Sequence, residues 1–331
     1  MSDKSLNKSV NPAISVVVVT KGNKIHFLEK CIKSLQNQTF KDFELILVYK
    51  IFPQKLKTLL DTCNIITFQE PSPTVGAARS LGVKNTKGEL VAMIDDDAEA
   101  PTDWLEKIYS TFQQYPTLVC LGGPHITPKE ESSSHLLRSI EGLALEAYHQ
   151  KTYLDCSAVG KIATCNVTYR KSVFEKIGLL NETMRAGEDW EFNERLVDNG
   201  YSLRFDSTIF VWHHRQGLKH AFQNSSNMVK FYLSWRTLKY SRYESIFASF
   251  YLTILISLIF LVTLIISPRI FILLLALLLL GHTFFTAIRT RTYSWRIIYF
   301  PLAISLTFVR LLGFYFGLFK YAISKLVSNN N

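Results

Sequence analysis

The sequence predicts an α/β domain built on a mostly parallel sheet, followed by a C-terminal helical region that crosses a membrane. Two observations carry this expectation. Short β-branched and aliphatic runs alternate with helical patterns through the first hundred residues, and strands separated by helices pack as parallel sheets covered on both faces. Charge is also unevenly placed. Of 37 Lys+Arg and 27 Asp+Glu, residues 213–331 hold 13 of the cations and a single carboxylate, Glu244. That excess lies beside the most apolar stretches, a pattern of membrane flanks rather than of a nucleic-acid face.

Residues 1–12, "MSDKSLNKSVNP", are polar, lack the apolar core of a secretory leader, and read as a disordered tail. "ISVVVV" (14–19) and "FELILVY" (43–49) are buried-strand runs, joined by "NIITF" (64–68) and "LVAMI" (90–94). Helical patterns at about 24–37, 54–62 and 74–85 separate them. Sheets of this kind bind ligands beyond the carboxyl ends of their strands. Asp95, Asp96 and Asp97 stand at that edge after the fourth strand. Three adjacent carboxylates repel one another, so the triad reads either as a solvated, helix-capping turn or as a seat for a divalent cation. The sheet-edge position favours the seat.

Further along, "GEDWEFNERLVDNGYSL" (187–203) opens with Glu188, Asp189 and Glu191 and continues as a helix to Gly200. Acidic residues in a first turn suit the helix dipole, which is a sufficient reason for them by itself. "TIFVWHHRQG" (208–217) reads as a strand ending in His213 and His214. The five cysteines are scattered without a C-x-x-C pair, which argues against a zinc site or disulfide framework and fits a reducing compartment.

Residues 217–245 read as an amphipathic interface helix and linker, with Leu218, Phe222, Val229 and Leu233 at helical spacing among Lys219, Lys230, Arg236 and Lys239. The uncharged stretch 246–266 is long enough, at about 1.5 Å per residue, for a bilayer core of about 30 Å. The stretch 270–288 is nearly as apolar, with Ser267, Pro268 and Arg269 forming a tight turn between the two. A third, 297–319, is interrupted by Arg310 and reads either as a span or as an interface helix. Arg236, Lys239 and Arg242 before the first span, and Arg289, Arg291 and Arg296 after the second, orient the chain. The expected location is the cell membrane, multi-pass, with the N-terminal domain cytoplasmic.

Taken together, the carboxylate triad after a strand, the Gly-Glu-Asp-x-Glu helix start and the later strand–His unit resemble the family 2 glycosyltransferases of the GT-A fold. "VVVVTKGNKIHFLEKCIKSLQNQTFKDFELILV", "GAARSLGVKNTKGELVAMIDDD" and "ATCNVTYRKSVFEKIGLLNE" resemble further segments of that family, so the likeness covers about residues 13–216. Two departures stand out. The acidic residue that usually ends the second strand and pairs with the nucleobase is replaced by Tyr49-Lys50, and the usual Arg-Asn pair is Arg79-Ser80.

The resemblance implies a nucleotide-sugar donor and a divalent metal, Mg²⁺ or Mn²⁺, at the leaving diphosphate. It implies Asp97 as direct metal ligand, with Asp95 and His213 beside it and His214 as the alternative histidine. It places Thr20, Arg79, Asp95 and Asp96 against the donor. It makes Asp189 the base that takes the acceptor's proton, with Glu188 and Glu191 on the acceptor side. The Gln-x-x-Arg-Trp motif of sugar-polymerising members is missing, since "FYLSWRTLKY" has Trp235-Arg236 in reverse order. The expected activity is therefore transfer of a single sugar, with inversion, to a membrane-bound hydroxyl acceptor such as a polyisoprenyl-(di)phosphate-linked saccharide. A synthase loading sugar directly onto polyisoprenyl phosphate is the alternative within this class. A catalytically silent sugar- or nucleotide-binding membrane protein is the alternative outside it.

Overall fold

The computed structural model describes residues 11–128, 162–184 and 187–214, a helix over 312–323, and scattered helical positions between 222 and 277. The chain divides into two compact units, one of residues 1–126 with 149–214 and the other of 127–148 with 215–331.

In the first unit, seven strands form one sheet. Strands β1 (Ile14–Thr20), β2 (Phe43–Tyr49), β3 (Ile66–Gln69) and β4 (Leu90–Asp95) are mutually parallel in the order β3-β2-β1-β4. The sheet continues through β8 (Asn166–Arg170), β6 (Cys120–Gly122) and β9 (Leu203–Phe205), with β8 antiparallel to both β4 and β6. A three-stranded sheet lies apart in the order β5 (Ala98–Glu99), β10 (Val211–His213), β7 (His125–Ile126).

The central strands read as continuous apolar runs because both faces are covered. Ile14, Val16 and Val18 of β1 pack with α1 (Ile25–Gln36) and α4 (Trp104–Gln114), while Val17 packs on the opposite face. There Val83 of α3 (Val75–Lys84), Phe174 of α5 (Ser172–Ile177), and Phe192 and Leu196 of α6 (Glu188–Asp198) close the second core. Helix α1 buries Leu28, Cys31, Ile32 and Leu35, the i, i+3, i+4, i+7 stripe of a surface helix.

The third strand starts two residues later than expected, because Asn64 turns in the left-handed region at φ 50° and Ile65 follows the turn. The expected helix at 54–62 is a short 3₁₀ turn, Gln54–Leu56, running into α2 (Lys57–Thr62). Of the expected membrane segments, 217–245, 246–266, 270–288 and the first part of 297–319 fall largely outside the described residues. Among the described residues no helix is long and apolar enough to cross a membrane.

Two features aim the sheet edge at one place. Asn166 sits where β8 begins. Its amide donates to the carbonyls of Pro124 (2.9 Å) and Ile209 (2.8 Å) and accepts from the Trp104 indole (3.0 Å), so the approaches to β7 and β10 are pinned to the large sheet. Gly76 lets α3 approach the segment before α6. A Cβ there would lie 2.3 Å from the Asn181 carbonyl oxygen.

Candidate active site

Asp95 ends β4, and the chain turns at once through Asp96 and Asp97 into β5. Strand β10 pairs antiparallel with β5, setting His213 opposite Ala98. This short pairing carries His213 back to the triad. Its Nε2 lies 3.4 Å from Asp97 Oδ1 and 3.7 Å from Asp95 Oδ2. Ligand atoms of Asp95, Asp97 and His213 all fall within 4.8 Å of one another. The neighbouring histidine points elsewhere: His214 Nε2 lies 2.5 Å from Glu99 Oε1.

The three aspartates have different surroundings. Asp96 accepts a 2.6 Å hydrogen bond from the Thr20 hydroxyl at the end of β1. Burial raises its pKa to about 6, against that hydrogen bond and with the charge of Asp97 adding to the effect. Asp97, 6% exposed, is ion-paired with Lys24 from the loop after β1. Asp95 keeps a third of its side chain open and receives the Arg79 guanidinium at 2.9 Å. Burial would raise its pKa, but the nearby His213 imidazole and the charge of Arg79 hold the carboxyl well below the usual range. An ionised carboxylate open to solvent on one side is suited to a cation or a polar ligand.

Arg79 projects from α3 and is nearly buried. Its second arm meets Glu188, the first residue of α6, in a buried ion pair. Gly187 leads into that helix at φ 81°, a left-handed conformation that glycine adopts without strain. Asp189 follows. Its Oδ1 accepts the Trp190 amide at 2.9 Å, and its Oδ2 faces the amide and hydroxyl of Thr164 at 3.3 and 3.4 Å. Burial raises the Asp189 pKa; Arg79 and the amides of Thr164 and Trp190 oppose that rise. Burial raises Glu188 to about 7, with Arg79 opposing and the Asp189 charge adding. One guanidinium serves three carboxylates, and burial raises both members of the Glu188–Asp189 pair against it. Such a pair titrates as a unit.

Most residues expected at the site thus gather at one edge: Thr20, Arg79, Asp95, Asp96, Asp97, Glu188, Asp189 and His213. Glu191 does not face that cluster through the contacts described. Its carboxylate forms a forked ion pair with Arg195, at 2.7 and 3.0 Å, one turn along α6. Arg195 in turn caps the carbonyls of Ile177 and Leu179. The i, i+4 geometry ties Glu191 to a helix-anchoring arginine. Lys24 and Thr164 join the site without having been expected. Lys24 stands at the start of α1 and Thr164 in a turn before β8, and neither approach to the site is set by periodicity.

The Glycosyl transferase family 2 model matches residues 15–178. The chain carries a glycosyl transferase family 2 domain. Among relatives, the glycosyltransferase AglE of Haloferax volcanii is 25% identical over 218 residues, 62% of this chain and 68% of that protein. The pre-mycofactocin glycosyltransferase of Mycobacterium tuberculosis is 29% identical over 167 residues, 47% of this chain and 34% of that protein, so the match spans about a third of its length. A solved structure, the mannosyltransferase PcManGT from Pyrobaculum calidifontis in complex with GDP-Man and Mn²⁺, aligns with a TM-score of 0.58 at 14% identity. That alignment covers 92% of this chain and 88% of PcManGT, and at this identity the likeness is one of fold.

Whether a divalent cation fits the glycosyltransferase domain is a question of donors. Asp95 and Asp97 offer hard oxygens, and His213 Nε2 faces both carboxylates. Its Nδ1 is buried without a hydrogen-bond partner among the described residues. Carboxylates suit hard divalent cations, and the imidazole would add a nitrogen donor. The Lys24 ammonium would compete with such a cation for Asp97.

Proposed function

We propose that this glycosyltransferase moves one sugar from a nucleotide-sugar donor to a hydroxyl of a membrane-bound acceptor, a saccharide on polyisoprenyl phosphate or diphosphate, with inversion at the anomeric carbon. The observation that carries the reading is the Arg79 bridge. It sets a cation-suited carboxylate group, Asp95 and Asp97 with His213, beside a protonatable pair, Glu188 and Asp189, at one sheet edge. Those are the two charge requirements of glycosyl transfer: a counter-charge for the leaving diphosphate and a base for the attacking hydroxyl.

A divalent cation held by Asp97, Asp95 and His213 would neutralise the charge that develops on the diphosphate. Thr20 and Asp96 hold the donor side. Asp189 accepts the acceptor's proton as the hydroxyl oxygen bonds to the anomeric carbon. The carbon–oxygen bond to the diphosphate breaks, and its electron pair leaves with the nucleotide. Glu188 and Arg79 position the two halves.

Relatives support this class of substrate. One, from Haloferax volcanii, is named a glucosyl-dolichyl phosphate glucuronosyltransferase and is 28% identical over 116 residues. The apolar stretches at 246–266 and 270–288 and their basic flanks support a cell-membrane protein with its catalytic domain cytoplasmic.

The test incubates membranes holding the full chain with a panel of labelled nucleotide-sugars, with and without Mn²⁺. Half the reactions receive bare polyisoprenyl phosphate and half a sugar-primed lipid. Metal-dependent labelling of the primed lipid is the expected result, with the new linkage inverted by NMR. Labelling of bare phosphate alone would instead make the protein a lipid-phosphate sugar synthase. Nucleotide binding without turnover would make it a silent binding protein.

A further inference from the structure

In the second unit, the helix over 312–323 reads "LGFYFGLFKYAI". Its two faces differ. Gly313, Phe314 and Gly317 are buried, whereas Leu312, Tyr315, Phe316, Phe319 and Ile323 are exposed, Phe319 by 63%. Leu312, Tyr315, Phe316, Phe319 and Ile323 fall at i, i+3, i+4, i+7 and i+11, one apolar stripe, with Tyr321 exposed on another side of the helix. Lys320 borders the stripe with its ammonium 4.6 Å from the Phe316 ring centroid.

The buried face is a glycine notch. A Cβ on Gly313 would lie 2.3 Å from the Phe222 carbonyl oxygen, and one on Gly317 would lie 2.6 Å from that of Ser226. Helical positions 222 and 226 are four apart, as are the two glycines, so the backbones meet along successive turns. Phe222 and Phe316 touch at 5.4 Å between centroids, and Val229 is fully buried. The C-terminal helix therefore packs against helical positions 222, 226 and 229.

That segment starts eight residues after His214, the end of the described catalytic unit. As a helix, eight residues span only about 12 Å, against about 30 Å for a bilayer core, and extended backbone is not tolerated in lipid. If the catalytic domain is cytoplasmic, residues 222–229 are on its side of the membrane, and so is whatever packs against their backbone.

We infer that helix 312–323 lies along the cytoplasmic membrane surface, docked on 222–229 by Gly313 and Gly317, with its Leu312–Ile323 stripe in the lipid. The third apolar stretch then does not deliver the C-terminus to the far side, and the protein has two spans with both termini together. The partner of the stripe is an anionic bilayer. Residues 213–331 carry 13 cations against Glu244, and Lys320 and Lys325 lie beside or just beyond the stripe. This inference rests on the membrane reading proposed above.

The experiment uses the full chain in sealed inside-out membrane vesicles, with an epitope fused before Met1 or after Asn331. Alkaline carbonate washing first establishes integration. Added protease is expected to remove both epitopes together. Loss of the N-terminal epitope with protection of the C-terminal one would overturn the inference while leaving the membrane reading intact. Release by carbonate would remove the membrane reading and the inference with it. In vesicles of anionic lipid, a polarity-sensitive dye on Phe319→Cys is expected to shift to the blue and resist aqueous iodide. Iodide quenching equal to that of an exposed surface cysteine would show the stripe outside the lipid and overturn its assignment.

Discussion

Arg79 and Glu188 stand 109 positions apart in the chain, and their side chains form a buried ion pair. Through its other arm Arg79 also holds Asp95. One residue of α3 thereby couples the end of β4 to the start of α6, the proposed donor side of the site to the proposed base side. Its charge is held firmly. Burial disfavours the guanidinium charge, but Glu188, Asp95 and Asp189 together raise its pKa above the already high arginine value.

Removing that cation leaves buried carboxylates without a partner. Arg79→Met is expected to destabilise the protein by about 3–5 kcal/mol, the usual range when one member of a buried pair is deleted. Arg79→Lys keeps the charge but cannot fork to both partners, so it should recover only part of the loss. Thermal melts of the full chain in detergent decide this. A Met variant melting with the wild type would show that the bridge carries no structural weight.

The same bridge shows where sequence reading succeeds and where it stops. Strands β1, β2 and β4 were legible because they are buried on both faces, and the matching runs of Val, Ile and Leu are unbroken. The α1 stripe was legible for the complementary reason, one apolar face along a helix of about three turns. The triad's place at a sheet edge followed from strand order alone. The approach of His213 to Asp97 was not derivable from periodicity. It depends on β5, a two-residue strand with no pattern of its own. Lys24 at the start of α1 and Thr164 in a turn before β8 reach the site through tertiary packing alone. The Glu191–Arg195 ion pair, by contrast, has the i, i+4 spacing that a helix pattern makes visible in the sequence.

Asp97→Ala is expected to abolish metal-dependent donor binding. Asp97 offers one oxygen to the His213 side and is itself 6% exposed, so alanine deletes the proposed ligand without reshaping the surface. Calorimetric titration of a nucleoside diphosphate, with and without Mn²⁺, measures it. Unchanged affinity and unchanged Mn²⁺ dependence would return the triad to a helix-capping turn.

The raised carboxyl groups predict opposite pH trends for stability and activity. Glu188 moves from about 4.5 in the unfolded chain to about 7 when folded, driven first by burial. Between those values the folded state holds a proton that the unfolded state has lost, so stability falls as pH rises through that window. Asp189, raised in the same direction, adds to the fall. Transfer should instead rise over the upper part of the window, as the pair gives up its proton and Asp189 becomes able to accept one. Melting temperature and initial rate measured from pH 5 to 8 should therefore slope in opposite senses. Glu188→Gln should flatten the stability slope, and a wild-type Tm that rises with pH across the window would contradict the assignment.

Asp189 carries the sharpest prediction, because its two readings differ in the kind of defect they produce. Its carboxylate accepts the Trp190 amide in the first turn of α6, which is a structural task that asparagine can also perform. On that reading Asp189→Asn costs at most about 1 kcal/mol of stability, since asparagine suits helix starts, and transfer is nearly normal. The other oxygen faces Thr164 beside the entrance to β8, within the cluster that Arg79 holds together. If that oxygen receives the acceptor's proton, the amide variant keeps shape and donor affinity but loses the base. Loss of a general base lowers the rate by about 10²–10⁴, or roughly 3–5 kcal/mol of barrier. The variant is purified in detergent and its melt compared with that of the wild type. Nucleotide affinity and single-turnover transfer are then measured separately. The expected outcome is a folded protein with wild-type nucleotide affinity and transfer slowed by at least about a hundredfold. A folded variant transferring at close to the wild-type rate would leave Asp189 as a helix-start residue and move the search for the base to Glu188.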